Sequence, residues 1–404
     1  MITKHHSDYA STKVLVFGTF DVDNYGDLLF PVIANWRLMG GVVACSPTNT
    51  IPSFDRVPEI DYIAYHELVS IEPAAMLIGG GNILHFRPSS VYPFRSKNLS
   101  YAGLQFIPLI LKQKYGVPVI YNSPSMTLGR SGPFDSFLFR LVYASADYLS
   151  FRDRASIVEA ERLSMQKINF VPDTVYDISR VWPVDRNVRP AENDYLVVHV
   201  NVRYGGQVQN VARVLDDLHA KLRMDLVLLP MGPCHGDLEY ARQVAERMTK
   251  KPILIDRFNV YIFAQYIANA QMYIGSSMHG FITAASYSVK AALVLDKEPM
   301  NKFKGALEVA GMSHNSCFSS WIDVIGGVNQ IKRIKAESLR LIFESLDEHW
   351  DSINKVIHKE GTRGFISLFV YAWKPMVLLN QFLGSFSRVL SRMQSAIIRS
   401  LEVY

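Results

Sequence analysis

The run Lys13-Val14-Leu15-Val16-Phe17-Gly18, the loop Thr19–Asp27 and the helical stretch Leu28–Met39 decide the fold. A short apolar run bounded by turn residues reads as a strand buried on both faces, and such strands belong to parallel sheets. The unit recurs. Residues 74–78 and 117–121 are further buried strands, ending in Gly79-Gly80-Gly81-Asn82 and Asn122-Ser123-Pro124, with Tyr148–Phe151 and Ile168–Val171 as shorter candidates. The pattern restarts near Asp194. Strands at 195–202, 225–229, 252–255, 272–274 and 291–295 alternate with helices at 208–222, 238–248 and 260–270 and with one starting near Gly280. Strands alternating with helices imply a parallel sheet covered on both faces. The expected fold class is α/β, with two doubly wound Rossmann-like domains at 1–185 and 190–330. Val181–Asn193, rich in Pro, Asp and Asn, links them. A helical return segment (331–362) and an apolar, basic amphipathic tail (363–404) follow. Doubly wound sheets bind ligands at the carboxyl ends of their strands, so the site is expected in the cleft between the domains.

A chain of 404 residues exceeds one ordinary core. Its 49% hydrophobic and 20% charged residues describe a globular protein and exclude a disordered one. The net charge of +5 suits anionic substrates or an anionic membrane nearby, and no nucleic-acid partner is expected. Cys45, Cys234 and Cys317 are scattered, which fits reduced thiols and neither a disulfide framework nor a zinc site. The polar N-terminus lacks an apolar signal core, and no stretch before residue 364 is apolar enough to span a bilayer. The expected location of the body is therefore the cytoplasm. In the tail, Lys374 and Pro375 interrupt the apolar run 365–382. Phe386, Val389, Leu390, Met393, Ile397 and Leu401 then follow helical spacing beside Arg388, Arg392 and Arg399. That pattern reads as a helix lying on the inner face of the plasma membrane, or as a packing helix of a homo-oligomer.

The chemistry-bearing residues fall at strand ends. Asp21, Asn24 and Asp27 occupy the first loop, where Asp27 can cap the helix and Asn24 suits ligand approach. The glycine run before Asn82 permits close backbone approach or a tight turn, and it matches neither a P-loop nor a dinucleotide fingerprint. Arg152 can hold an anion. Asp153 can pair with an arginine or cap the next helix, and an ion pair stitching strand to helix is the structural alternative. Alternation places His199, Asn201 and Arg203 on one face of their strand, with His199 read as an interior histidine and Arg203 as an anion fork. His235 and Asp237 read as solvated or turn-forming. The segment Ile274-Gly275-Ser276-Ser277-Met278-His279-Gly280 is the strongest signal: a strand ends in small hydroxyls and a helix begins, forming an anion cradle with His279 in it.

Taken in order, Asn24-Tyr25-Gly26-Asp27, Gly79-Gly80-Gly81-Asn82, Phe151-Arg152-Asp153, Val171-Pro172-Asp173-Thr174-Val175 and Gly275–Gly280 resemble the polysaccharide pyruvyl transferase family across residues 13–315. The resemblance implies a fold similar to the two-domain GT-B glycosyltransferases. It implies transfer of pyruvate from phosphoenolpyruvate to a sugar diol as a cyclic ketal, in bacterial exopolysaccharide synthesis, with no cofactor and no metal. The family's last motif usually reads Arg-Leu-His, and here it is Ser277-Met278-His279. The implied roles are His279 as catalytic residue and Arg203, Ser277, Met278 and Gly280 on the donor. On the side of a glycan acceptor, often lipid-linked, stand Asp21, Asn24, Asp27, Asn82 and His85. The acceptor's base is left open among Asp21, Asp27 and His85. The alternatives are a GT-B-like glycosyltransferase using a nucleotide sugar and a non-catalytic glycan-binding homologue.

Overall fold

In the computed structural model the described residues are 13–46, 60–64, 67–68, 71–84, 103–126, 133–163, 166–295, 301–312 and 316–359. Among them, the first half supplies β1 (Val14–Phe17), β2 (Val42–Cys45), β3 (Asp61–Ile63), β4 (Ala75–Ile78), β5 (Val119–Tyr121), β6 (Leu149–Phe151) and β7 (Ile168–Phe170). The second half supplies β8 (Tyr195–His199), β9 (Asp225–Leu228), β10 (Ile253–Leu254), β11 (Met272–Gly275), β12 (Lys290–Val294) and β13 (Cys317–Phe318). One sheet runs β3-β2-β1-β4-β5 and the other β10-β9-β8-β11-β12-β13, all parallel. The pair β6-β7 adjoins β5 through a bridge between Ile120 and Tyr148. Each large sheet winds outward from its first strand, then crosses back and winds the other way. The crevices therefore lie between β1 and β4 and between β8 and β11. This is the α/β fold of two Rossmann-like sheets that the alternating pattern implies, in the GT-B-like arrangement that the family resemblance implies.

The period of two along each central strand sorts side chains into separate cores. Val14 and Val16 of β1 face a core shared by the two halves, whereas Leu15 and Phe17 face the far side of the first sheet. In β8, Tyr195 and Val197 join the shared core while Leu196 and Val198 face away. Polar contacts pin the halves: the Tyr25 amide donates to the Met231 carbonyl at 2.8 Å, and the Tyr25 hydroxyl lies 3.0 Å from Thr283 Oγ1.

The helix Ala336–Ile357 returns from the second half to the first. Its Asp347 accepts from Arg37 at 2.6 Å and Arg180 at 2.8 Å, and Trp350 and Ile353 enter the shared core. His349 is buried between Tyr148 (3.0 Å from Nδ1) and Asn122 Oδ1 (2.8 Å from Nε2). Burial, with a lesser push from Arg37, drives its pKa down to about 3. The ring is thus neutral: the Tyr148 hydroxyl donates to Nδ1, and Nε2–H donates to Asn122. The tail 363–404 lies outside the described residues. Among the described residues no helix is long and apolar enough to cross a membrane.

Local departures from the sequence reading have identifiable causes. The helix expected from Leu28 begins at Tyr25, with Asn24 in the cap position making no side-chain cap bond. Asp27 therefore stands inside the first turn and does not cap. The strand expected over 195–202 stops at His199. There the Asn201 side chain accepts from the Arg203 amide at 2.8 Å and its carbonyl from the Tyr204 amide at 3.1 Å, turning the chain off the sheet. Strands β3 and β13 carry too few residues, or too exposed a pattern, to stand out by periodicity, whereas β2 is a buried apolar run like β1 that the sequence reading leaves unassigned.

Candidate active site

Loops from both crevices converge on one cavity of about 410 Å³. The loop and helix start after β1 bring Thr19, Val22, Asn24 and Asp27, the turn after β4 brings Asn82 and Ile83, and the end of β6 brings Arg152. From the other sheet come His199 at the end of β8 with Asn201, Val202, Arg203 and Tyr204 beyond it, Met231, Gly232, Cys234, His235 and Asp237 after β9, and Ser276 through His279 after β11, joined by Phe303. The lining spans both halves because the central strands of each sheet aim their carboxyl ends at the same space.

His279 is held from both sides. Only two residues separate β11 from the helix Met278–Ser286, which puts His279 in the first turn. Ser277 caps that helix, its Oγ accepting from the Gly280 amide at 3.2 Å. Helix geometry leaves the Met278 and His279 amides without an intrahelical acceptor. The imidazole then crosses to the first half and lies on Gly26, where a Cβ would fall 1.7 Å from Nδ1. The Phe30 ring meets it edge-on, 5.5 Å between centroids at 83°. Its Nε2 sits 3.4 Å from Asp173 Oδ2 and 3.3 Å from Arg152 Nη1.

Asp173 and Arg152 form a buried ion pair through Arg152 Nη1 and Asp173 Oδ2. The second carboxylate oxygen caps the 3-10 turn Thr174–Asp177, accepting from the Val175 amide at 3.0 Å. Burial alone raises a carboxyl pKa, but here the Arg152 charge, then His279 and the Val175 amide, outweigh it and hold Asp173 well below the usual carboxylate range. Asp173 can accept a hydrogen bond from His279 Nε2 and Arg152 can donate one to it, so the two neighbours favour opposite tautomers of the ring. Asp153, next to Arg152, serves structure instead: it caps the helix Arg154–Leu163 through the Ser156 amide at 2.7 Å and accepts from the Ser125 and Ser156 hydroxyls.

Asp27 faces the same space and shifts the other way. Burial raises its pKa, opposed by His279, the Thr19 hydroxyl, Arg152 and His235. Asp23 in the same loop is also raised by burial. Cys234 is pushed up to about 12, by burial and then by Asp27, Asp237 and Asp23, so its thiol is no nucleophile at neutral pH.

Of the residues singled out from sequence, His279, Arg203, Ser277, Met278, Asn24, Asp27 and Asn82 line the cavity together. Gly280 does not: a Cβ there would meet the Tyr273 hydroxyl at 2.4 Å and the Met231 sulfur at 2.7 Å, so it is a packing glycine. Asp21 is absent from the lining, and His85 lies outside the described residues. His199 is the buried, partnered histidine expected, with Nε2 2.9 Å from Asp237 Oδ2. Two readings change. The loop of His235 and Asp237 is cavity wall rather than solvated turn, and Asp237 is buried. The immediate partners of His279 are Arg152 and Asp173, not Arg203. Both lie in motifs noted in the sequence, but their pairing across 21 and 127 positions leaves no periodic trace.

A family model described as polysaccharide pyruvyl transferase matches residues 24–296. The chain belongs to the polysaccharide pyruvyl transferase family. The match starts at Asn24 and runs past His279, so it contains nearly every cavity segment of this family member. Among curated proteins no significant match exists. Among solved structures it is similar to the UDP-GlcNAc 2-epimerase of Methanocaldococcus jannaschii, with 12% identity over 83% of this chain and 99% of that one and a TM-score of 0.50. It is also similar to a putative UDP-N-acetylglucosamine 2-epimerase from Listeria monocytogenes (13% identity, 88% and 93% covered, TM-score 0.48). A third is the α,α-trehalose 6-phosphate synthase of Burkholderia multivorans (10% identity, 86% and 98% covered, TM-score 0.42). At such identities the first of these speaks to the fold of this family member and to nothing finer.

Proposed function

We propose that this member of the family transfers pyruvate from phosphoenolpyruvate to two hydroxyls of a sugar, forming a cyclic ketal in the synthesis of a bacterial exopolysaccharide. The observation that carries the reading is the placement of His279, backed by the Arg152–Asp173 pair, opposite Asp27 in one cavity that also receives Arg203. Phosphoenolpyruvate carries a carboxylate and a phosphate. The exposed guanidinium of Arg203 and the Met278 and His279 amides supply donors for them.

Protonation of the methylene carbon, with a proton from solvent, makes C2 electrophilic. One sugar oxygen adds to C2 and loses its proton, and Asp27, a carboxylate tuned upward by burial, accepts it. The C2–oxygen bond to phosphate breaks, and His279, steadied by the Asp173 anion, protonates the departing phosphate. The second hydroxyl then adds to C2, passing its proton to the His279 imidazole that has just given one to phosphate, and closes the ketal. Acid–base assistance of this kind contributes roughly 100- to 10,000-fold. The acceptor in this reading is a glycan, lipid-linked at the inner face of the plasma membrane, and the amphipathic tail brings the enzyme to that surface.

The test is a donor assay on the full chain with pyruvylatable glycan acceptors. Consumption of phosphoenolpyruvate, phosphate release and a pyruvate ketal on the acceptor support the reading. Release of a nucleoside diphosphate from a nucleotide sugar, with phosphoenolpyruvate untouched, overturns it. A folded His279→Ala enzyme that keeps full donor turnover removes His279 from the chemistry.

A further inference from the structure

Arg203 stands on the short loop between β8 and the helix Val208–Leu222, and its guanidinium has no protein acceptor among the described residues. A long exposed side chain on a loop loses much rotamer freedom when it grips a ligand. Its aim therefore depends on how firmly the backbone beneath it is fixed. That backbone is fixed from below. The Arg203 amide donates to Asn201 Oδ1 at 2.8 Å. The same Asn201 side chain donates through Nδ2 to Asp237 Oδ1 at 2.5 Å. The other oxygen of Asp237 takes His199 Nε2 at 2.9 Å. Asp237 opens the helix Asp237–Arg247, and one turn later the Tyr240 hydroxyl donates to the Gly206 carbonyl at 3.0 Å. Between them, Gly205 passes so close that a Cβ would sit 2.3 Å from the Tyr240 oxygen and 2.7 Å from the Asn201 carbonyl.

A buried carboxylate is costly unless its oxygens are matched by donors. Asp237 is 2% exposed and spends both oxygens on residues of the β8 end, one a strand histidine and the other the asparagine that carries Arg203. Nothing in sheet or helix formation requires this. Asp237 gives no side-chain cap to its own helix, whose cap residue is Gly236. We infer that Asp237 is a positioning residue for donor binding, which holds the Arg203 loop in the cleft through Asn201. The inference rests on the reading of Arg203 as a ligand of the anionic donor, and it concerns a residue that itself touches no reacting atom.

The hydrogen-bond polarity gives a specific test. Asn201→Ala removes the acceptor for the Arg203 amide, and Asp237→Asn leaves two amides facing each other with one poorly matched. Each is expected to raise the KM for phosphoenolpyruvate by about tenfold or more, with most of the loss in KM rather than kcat. Combined with Arg203→Ala, neither should add a further loss. The exchanged double variant N201D/D237N restores every bond: His199 donates to the new amide oxygen, the new amide donates to the carboxylate at 201, and that carboxylate accepts from the Arg203 amide. It is expected to recover most of the donor KM. A folded N201A enzyme with the donor KM of the parent, beside an R203A enzyme whose KM has risen, overturns the positioning role. So does failure of the exchanged pair to recover while it melts like the parent. A wild-type donor KM in R203A itself withdraws instead the donor-binding reading beneath it.

Discussion

The contact between Gly26 and His279 makes a prediction whose sign depends on the partner residue. A methyl group at Gly26 would lie 1.7 Å from Nδ1, 2.4 Å from Cγ and 2.6 Å from Cε1 of His279, against an ordinary contact of 3.4 Å or more. In Gly26→Ala the ring must retreat by about 1.7 Å or the helix must shift. Retreat is blocked by the Phe30 edge and by the buried Arg152–Asp173 pair. Overpacking of this kind costs roughly 1–3 kcal/mol, and a misplacement near 1 Å at a catalytic group costs on the order of 100-fold in rate. Gly26 otherwise sits in the helix Tyr25–Arg37, where alanine is better than glycine by about 0.5–1 kcal/mol. With the ring removed in His279→Ala, the same G26A change should become neutral or stabilising. Urea unfolding of the parent, both single variants and the double variant measures this, and contacting residues are expected to couple by about 0.5–3 kcal/mol. Equal effects of G26A in both backgrounds would refute the packing argument, whatever the activity.

Other variants probe the remaining charges. Asp173→Asn leaves the Arg152 guanidinium buried without its counter-charge and is expected to cost about 3–5 kcal/mol in unfolding free energy; a loss under ~1 kcal/mol would show the pair to be unimportant to stability. Asp27→Asn should abolish ketal formation while the protein holds or gains stability at neutral pH, because burial raises the folded pKa of Asp27 and penalises its ionised form there; a folded D27N enzyme with parental turnover rules Asp27 out as the base. The buried His349 binds a proton in the unfolded state near 6.5 but in the folded state only near 3. Stability from its neutral form is complete above 6.5 and is lost as pH falls through that window, by up to about 1.4 kcal/mol per pH unit. His349→Gln should flatten this slope in unfolding curves taken between pH 6.5 and 4, and an unchanged slope would place the acid sensitivity elsewhere.

The fold was legible because its information is local. Buried strands such as Val14–Phe17 and Ala75–Ile78 are continuous apolar runs, and the helix Val208–Leu222 follows its apolar stripe to the residue. The two-residue β13 and the half-exposed β3 lack such a signal, since their place in the sheet comes from neighbours rather than from their own pattern. The strand-end rule also located the cavity. What stayed hidden was pairing. Periodicity cannot tell that Arg152 turns to Asp173 rather than to adjacent Asp153, or that Asn201 bends the chain before Arg203 can lie on the sheet. Each depends on which distant backbone is near enough to accept a hydrogen bond.

The two acidic groups near His279 show how one cleft shifts the same side chain in opposite directions. Asp173 is buried and Asp27 is half-buried in the cavity wall, and withdrawal from water alone would raise both. Asp173 is in direct contact with Arg152, accepts a backbone amide and faces His279, so its charge is favoured and it stays an anion. Asp27 has one hydroxyl partner, Thr19, and feels the same cations only through space, so burial prevails and its pKa rises. A carboxylate held as an anion is suited to orienting the imidazole beside it, and one whose pKa is raised by burial is suited to exchanging protons with a substrate hydroxyl. The difference lies in Arg152, because a guanidinium placed against Asp27 instead would lower the pKa of Asp27 and leave Asp173 without its counter-charge. Arg152 thus separates the two carboxylates in pKa while paired to only one of them, and in the proposed mechanism that is what ties it to the site although it sits almost wholly out of solvent.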